Sequence, residues 1–227
     1  LPKTLLPSYR EFDEPRYFSD LRRLAYSVNQ PVEALLKPYT RKDGIQIGIS
    51  ICEDAWDSIY QIKPVSILAS QLKEKALLIN ISCSPYTLGK SDARHRVFGA
   101  HARNHKIPLI YLNSVGTQNN GKNIYAFEGD SCVYDIQGNT IFEYPTFDSY
   151  STVIEWDGKA IKASEKSMPQ LTGMAEVRRA LVYMLSENLR RLGIERVVIG
   201  ASGGIDSAVY AVLYSEALGA DRVFLVN

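Results

Sequence analysis

Apolar positions along the first two thirds of the chain alternate between two periods. Residues 45–52 read as a buried strand, with Ile45, Ile47, Ile49 and Ile51 separated by small or polar residues. Residues 64–75 have apolar positions 65, 67, 68 and 72, which predicts a helix packing one face. Residues 76–82 (ALLINIS) and 107–115 (IPLIYLNSV) are short runs apolar on both sides, expected of strands inside a covered sheet. Between them, residues 91–105 read as a second helix capped by Ser91 or Asp92. A Gly- and Asn-rich loop is expected over 116–122. Residues 124–135 and 139–144 then alternate around Gln137-Gly138 as a hairpin, and residues 151–156 give a further strand. Residues 3–18 have no clean period and read as an irregular loop; 19–44 are broken by Pro31, Pro38 and Gly44.

The texture changes after Trp156. Residues 157–172 are polar and aperiodic, the composition of a linker. Residues 174–192 form an amphipathic helix with 177, 181, 184, 185 and 189 on one face. A strand at 196–200, a Gly-rich turn, a helix at 206–218 and a strand at 223–226 make a βαβ unit. The pattern predicts an α/β protein with layered packing and a mixed sheet at 1–156, a linker at 157–172, and a second α/β unit at 173–227.

Composition adds little and excludes several classes. The 227 residues are 45% apolar and 22% charged, with a net charge of +1, which gives no electrostatic reason to expect nucleic acid or an anionic membrane. Three cysteines argue against a disulfide framework and for a reducing compartment, the cytoplasm. No apolar run approaches the roughly 20 residues of a membrane span, and residues 1–10 do not read as a signal peptide. With no initiator Met and an apolar close, the chain reads as an internal segment of a longer polypeptide.

Two stretches carry chemistry. In ICEDAW, Cys52 ends a core strand and is followed by Glu53, Asp54 and Trp56. A thiol held by a strand, with a turn behind it offering N–H groups to an oxyanion, is where an enzyme places a nucleophile. The second stretch, VVIGASGGIDS, runs a strand into Ser202-Gly203-Gly204-Ile205-Asp206-Ser207 and directly into a helix. Two glycines, two hydroxyls and a helix N-terminus make a nest for phosphate or pyrophosphate. Asp206 caps the helix or holds a Mg²⁺ beside the phosphates. The loop lacks the lysine of GxxxxGK[ST] and the spacing of GxGxxG.

SGGIDS resembles the signature of the PP-loop ATP pyrophosphatases. KTLLPSY…FDEPRYF and ICEDAW resemble two blocks of the nitrilase, or carbon–nitrogen hydrolase, superfamily. Their order on one chain is similar to that of the glutamine-dependent NAD⁺ synthetase family. The resemblance implies a partial nitrilase-like α-β-β-α sandwich for residues 1–156, acting as a glutaminase, and the start of a Rossmann-like PP-loop domain for 173–227.

Residue by residue, the resemblance makes Cys52 the nucleophile and Lys3 the lysine of a Glu–Lys–Cys triad, with the glutamate expected upstream of Lys3. It puts Tyr9, Phe12, Glu14 and Trp56 at the glutamine pocket, with Ser82, Ser84 and Arg94 or Arg96 helping to hold glutamine. Ser202, Gly203, Gly204, Ile205, Asp206 and Ser207 would bind ATP, with Mg²⁺ at Asp206. The implied small-molecule partners are glutamine, ATP and deamido-NAD⁺, with no nucleic acid or membrane and with a homo-oligomer expected. The segment alone would be inactive in both half-reactions. An amidotransferase acting on another small amide and carboxylate is the alternative. Cys83 and Cys132 read as structural. His101 and His105 have an i, i+4 spacing that a metal can use, but with no third ligand in view they read as a polar helix face, along with His95.

Overall fold

The computed structural model describes the chain apart from residues 1, 11, 120, 122, 159, 166, 168 and 169. Residues 3–10 and 12–18 are irregular save for a 3-10 turn at Glu14–Arg16. Two short helices follow, α1 (Leu21–Ser27) and α2 (Val32–Leu35), then a short strand, β1 (Tyr39–Thr40). The predicted β-α-β-α-β series is present as β2 (Gln46–Ile51), α3 (Pro64–Gln71), β3 (Ala76–Ser82), α4 (Lys90–His105) and β4 (Leu109–Asn113). The strands β2, β3 and β4 run parallel, as helical crossovers require.

Beyond β4 the chain departs from the sequence expectation. Residues 116–119, expected as part of a loop, belong to strand β5 (Val115–Asn119), paired antiparallel with β6 (Ile124–Glu128). The predicted hairpin is confined to β7 (Cys132–Tyr134) and β8 (Thr140–Glu143), which close the edge of the six-stranded sheet β1-β2-β3-β4-β7-β8. Polar β5 is a strand because its backbone groups find partners on β6, a pairing that local hydrophobicity does not report.

One face of the sheet, carrying Leu78, Leu109, Tyr111, Cys132 and Tyr134, receives Val65 of α3 and Phe98 and Ala102 of α4. Helix α4 closes on the β7–β8 turn through two glycines. A Cβ on Gly99 would lie 2.8 Å from the Gly138 carbonyl oxygen, and one on Gly138 2.3 Å from that of Gly99. The other face is almost wholly aliphatic. Leu77, Val133 and Phe142 are covered by a hairpin of β9 (Ile154–Trp156) and β10 (Ile161–Ala163), whereas Ile81 and Leu112 remain 50% and 39% exposed. Of the α-β-β-α sandwich that the resemblance implies, the described residues show one six-stranded sheet with helices on one face. Strand β10 falls inside the stretch read as linker. Its Ile161 is buried against the sheet, so the first unit extends past Trp156.

Helix α5 (Gly173–Leu192) lies against the β5–β6 ribbon, where Ala180, Tyr183 and Met184 meet Ala126 and Phe147. Then β11 (Val197–Gly200), α6 (Ile205–Leu218) and β12 (Val223–Val226) form the predicted parallel βαβ unit. Arg178 of α5 forms an ion pair with Glu216 of α6 at 2.7 Å.

Candidate active site

Strand β2 ends at Ile51, and the chain turns at once into a single 3-10 turn, Cys52–Ala55. Cys52 opens it with φ +46°, a left-handed conformation that costs a non-glycine residue roughly 1–2 kcal/mol and persists only where the surroundings enforce it. The main restraint is Asp54, 1% exposed. Its Oδ2 accepts the N–H of Ile51 at 3.1 Å, while Oδ1 accepts those of Thr4 and Leu5 at 3.0 and 2.8 Å. One buried carboxylate therefore folds the turn and draws the Lys3 segment onto it. A second restraint is Asn80 of β3, whose Nδ2 donates to the Cys52 carbonyl at 3.3 Å and to Ser50 Oγ at 2.9 Å; Ser82 Oγ donates to Asn80 Oδ1 at 2.8 Å.

Lys3 places its Nζ 2.5 Å from Glu14 Oε2, both side chains being largely shielded from solvent. Glu53 is buried and accepts the hydroxyls of Tyr9 and Tyr60, each at 2.8 Å. Burial pushes the Glu53 carboxyl above its usual range, while the two phenols and Lys3 oppose that rise. Burial likewise pushes the Cys52 thiol up, and Lys3, then Ser82 and Lys90, pull it back. Burial thus disfavours the thiolate, which a base helps to form, and Lys3 favours it once it has formed.

Cys52 opens into a cleft of about 390 Å³ walled by Tyr9, Phe12, Trp56, Ser84 and Lys90. Tyr9 and Phe12 meet edge to face at 5.7 Å, and Trp56 rests edge-on against Phe98 at 6.0 Å. The fold thus brings together Cys52, Lys3, Tyr9, Phe12, Glu14, Trp56, Ser82 and Ser84, all proposed from sequence.

The two arginines do not join them. Arg94 is fully buried, its guanidinium held between Glu128 and Asp130 and lying 5.0 Å over the Tyr111 ring. Arg96 points to solvent from the outer face of α4. The cations that border the cleft are instead Arg10 and Lys90; Lys90 lies in the first turn of α4, and its Nζ also donates to the Pro85 carbonyl at 3.0 Å. Its position in GK, six residues after Ser84, was available in the sequence as a polar loop entering a helix. The restraining role of Asp54 carried no local signal.

Cys132 is buried and Cys83 exposed, both away from this cleft's lining. The three histidines serve hydrogen bonds. His95 binds Tyr134 and Glu143, His101 binds the Ala55 carbonyl, and His105 lies 3.3 Å from Ser66 Oγ. His101 and His105 stack at 6.2 Å with nearly parallel rings. Among the described residues, the grouping of metal-type donors is His95, Cys132 and Glu143, where both ring nitrogens of His95 are already engaged.

The second candidate site lies between β11 and α6. Gly203 takes φ +80°, which lets residues 201–204 turn sharply before Ile205 starts the helix. Ser207 Oγ donates to the Gly204 carbonyl at 2.9 Å, and the Ser202 and Ser207 hydroxyls are 3.4 Å apart. Ser202, Gly203, Gly204, Ile205 and Asp206 are exposed, so the first-turn N–H groups of α6 face outward with the hydroxyls beside them.

Comparison with known proteins agrees with both halves. The NAD synthase family model matches residues 177–227. A glutamine-dependent NAD(+) synthetase of Synechocystis sp. is 32% identical over 231 residues, covering 97% of this chain, and one of Rhodobacter capsulatus is 33% identical over 97% of it. The chain spans only 38% and 36% of those two relatives. Among solved structures, the glutamine-dependent NAD⁺ synthetase of Acinetobacter baumannii in complex with ADP superposes over 98% of this chain with a TM-score of 0.79 and 30% identity. It is covered to 38% of its own length. A synthetase from Cytophaga hutchinsonii shares the fold at a TM-score of 0.65 and 19% identity, over 97% of this chain and 35% of its own. In sequence and in fold, the chain is similar over nearly its whole length to a part of the glutamine-dependent NAD⁺ synthetases.

Proposed function

We propose that the chain forms part of a glutamine-hydrolysing NAD⁺ synthetase, with residues 1–163 contributing to the glutaminase and 173–227 opening the synthetase unit. The observation that carries this reading is that Asp54 binds the backbone next to Lys3 onto the Cys52 turn, with Lys3 near enough to pull the thiol's pKa down. The Cys52 thiolate attacks the side-chain amide carbon of glutamine. Lys3 and the N–H groups of the turn steady the oxyanion. Collapse breaks the C–N bond, and the amide nitrogen takes a proton and leaves as ammonia. Water then cleaves the thioester to glutamate and frees the thiol. The base for both steps is the triad glutamate that the resemblance assigns. Lys90 is placed to meet the α-carboxylate of glutamine, with Ser84 beside it and Tyr9, Phe12 and Trp56 around the methylenes.

In the second unit, ATP phosphates would lie on residues 202–207 at the N-terminus of α6, a reading supported by the ADP bound to the A. baumannii synthetase. The hard oxygen donors there suit Mg²⁺, with Asp206 as the carboxylate; the ion would neutralise phosphate charge. Adenylation of the deamido-NAD⁺ carboxylate releases pyrophosphate, and ammonia then displaces AMP to give NAD⁺. A cytoplasmic homo-oligomer belongs to the same reading and rests on the family resemblance. In the full-length enzyme, Cys52→Ala should abolish glutamine-driven NAD⁺ synthesis and spare ammonia-driven synthesis. Equal loss of both would refute this division.

A further inference from the structure

The strained turn at Cys52 is restrained near its start by Asp54 and Asn80, but its last residue, Ala55, is held from another element. Ala55 is 1% exposed, and its carbonyl lies 2.8 Å from Nε2 of His101 on α4. A carbonyl only accepts, so Nε2 carries the proton. The same helix supports the next residue, with Phe98 beneath Trp56, and its first turn supplies Lys90 to the cleft wall. Helix α4, about 24 Å long at 1.5 Å per residue, thus ties the substrate cleft to the far end of the nucleophile turn.

We propose that His101 is a positioning residue for Cys52: its Nε2–H bond to the Ala55 carbonyl fixes the C-terminal end of the Cys52–Ala55 turn and so holds the thiol in its left-handed, cleft-facing pose. This rests on the reading of Cys52 as the nucleophile. Neither His101 nor Ala55 lines the cleft, so the effect belongs in turnover, not in glutamine binding.

The test uses the full-length enzyme and reads two quantities: the rate at which iodoacetamide modifies Cys52, resolved from Cys83 and Cys132 by peptide mass spectrometry, and the glutaminase kinetics. His101→Leu should slow Cys52 alkylation and lower kcat by about tenfold or more, with KM for glutamine within about twofold of wild type and Cys83 alkylation unchanged. His101→Gln, whose amide nitrogen reaches nearly the position of Nε2, should restore both to within about threefold. Wild-type alkylation of Cys52 in the leucine variant overturns the proposal, as does a glutamine variant as slow as the leucine one. A leucine variant that fails to fold, seen as new alkylation of buried Cys132, assigns the bond to stability alone and also overturns it. Failure of the parent reading would show separately, as glutaminase activity surviving Cys52→Ala.

Discussion

The backbone N–H of Leu5 donates to Asp54 Oδ1 at 2.8 Å across a separation of 49 residues. With the matching bonds from Thr4 and Ile51, this makes Asp54 the joint between the lysine-bearing segment and the nucleophile turn. Asp54→Ala leaves three shielded N–H groups without an acceptor, at roughly 1–3 kcal/mol each before relaxation. Urea denaturation should show a loss of about 3 kcal/mol or more. In the same variant, Lys3→Met should have no further effect on Cys52 alkylation, because the two groups are already uncoupled.

A pH dependence follows from the same carboxyl. Burial pushes Asp54 from its ordinary 3.8 up to about 6, against the pull of its three N–H partners and Lys3. A carboxyl whose folded-state pKa exceeds its unfolded one binds protons more tightly when folded. Its contribution is complete below pH 3.8 and is lost as pH rises through about 6. Asn at position 54 does not titrate. The stability of wild type relative to Asp54→Asn should therefore fall between pH 4 and 7, by up to about 3 kcal/mol, in paired denaturation curves.

Lys3 is the foremost group pulling the Cys52 thiol down against the effect of burial. Lys3→Met should raise the pH at which Cys52 becomes reactive to iodoacetamide. In the full-length enzyme it should also lower kcat for glutamine hydrolysis by roughly 10²–10³, the usual effect of losing an oxyanion partner. Ammonia-driven synthesis should not change.

The cations of α4 have separable roles. Arg94→Met strips the counter-charge from two buried carboxylates, Glu128 and Asp130, and should destabilise the protein by about 3–5 kcal/mol. Arg96→Ala should leave stability within about 0.5 kcal/mol and the glutamine KM unaltered. Lys90→Met should raise that KM by about tenfold or more, as expected when a charge-assisted bond is lost. An equal KM effect from Arg96 and Lys90 would reject this assignment.

At the second site, Gly203→Ala puts a Cβ on a residue at φ +80° with open space around it, so conformational strain is the whole penalty, about 1–2 kcal/mol. In the full-length enzyme it should weaken ATP use in ammonia-driven synthesis while leaving Cys52 alkylation untouched. Asp206→Asn should raise the Mg²⁺ concentration needed for half-maximal synthesis.

Sequence by itself determined the elements whose cause is local. The isoleucines of β2, the runs at β3 and β4 and the 3.6-residue stripe of α5 each declare their period. The thiol at the end of β2 and the glycine-rich entry to α6 are visible because strand, turn and helix signals adjoin there.

The tertiary structure decided whatever depends on partners far along the chain. β5 is polar and becomes a strand only through β6, and β10 is drawn from an apparent linker because Ile161 finds the aliphatic face of the sheet. Asp54 looks like one more surface acid until three N–H groups are folded around it. Arg94 and Lys90 are four residues apart on one helix, yet one is sealed between two carboxylates and the other borders the cleft. The physical reason is common to all four. Local propensity acts over a few residues, whereas burial and hydrogen-bond satisfaction are properties of the assembled chain.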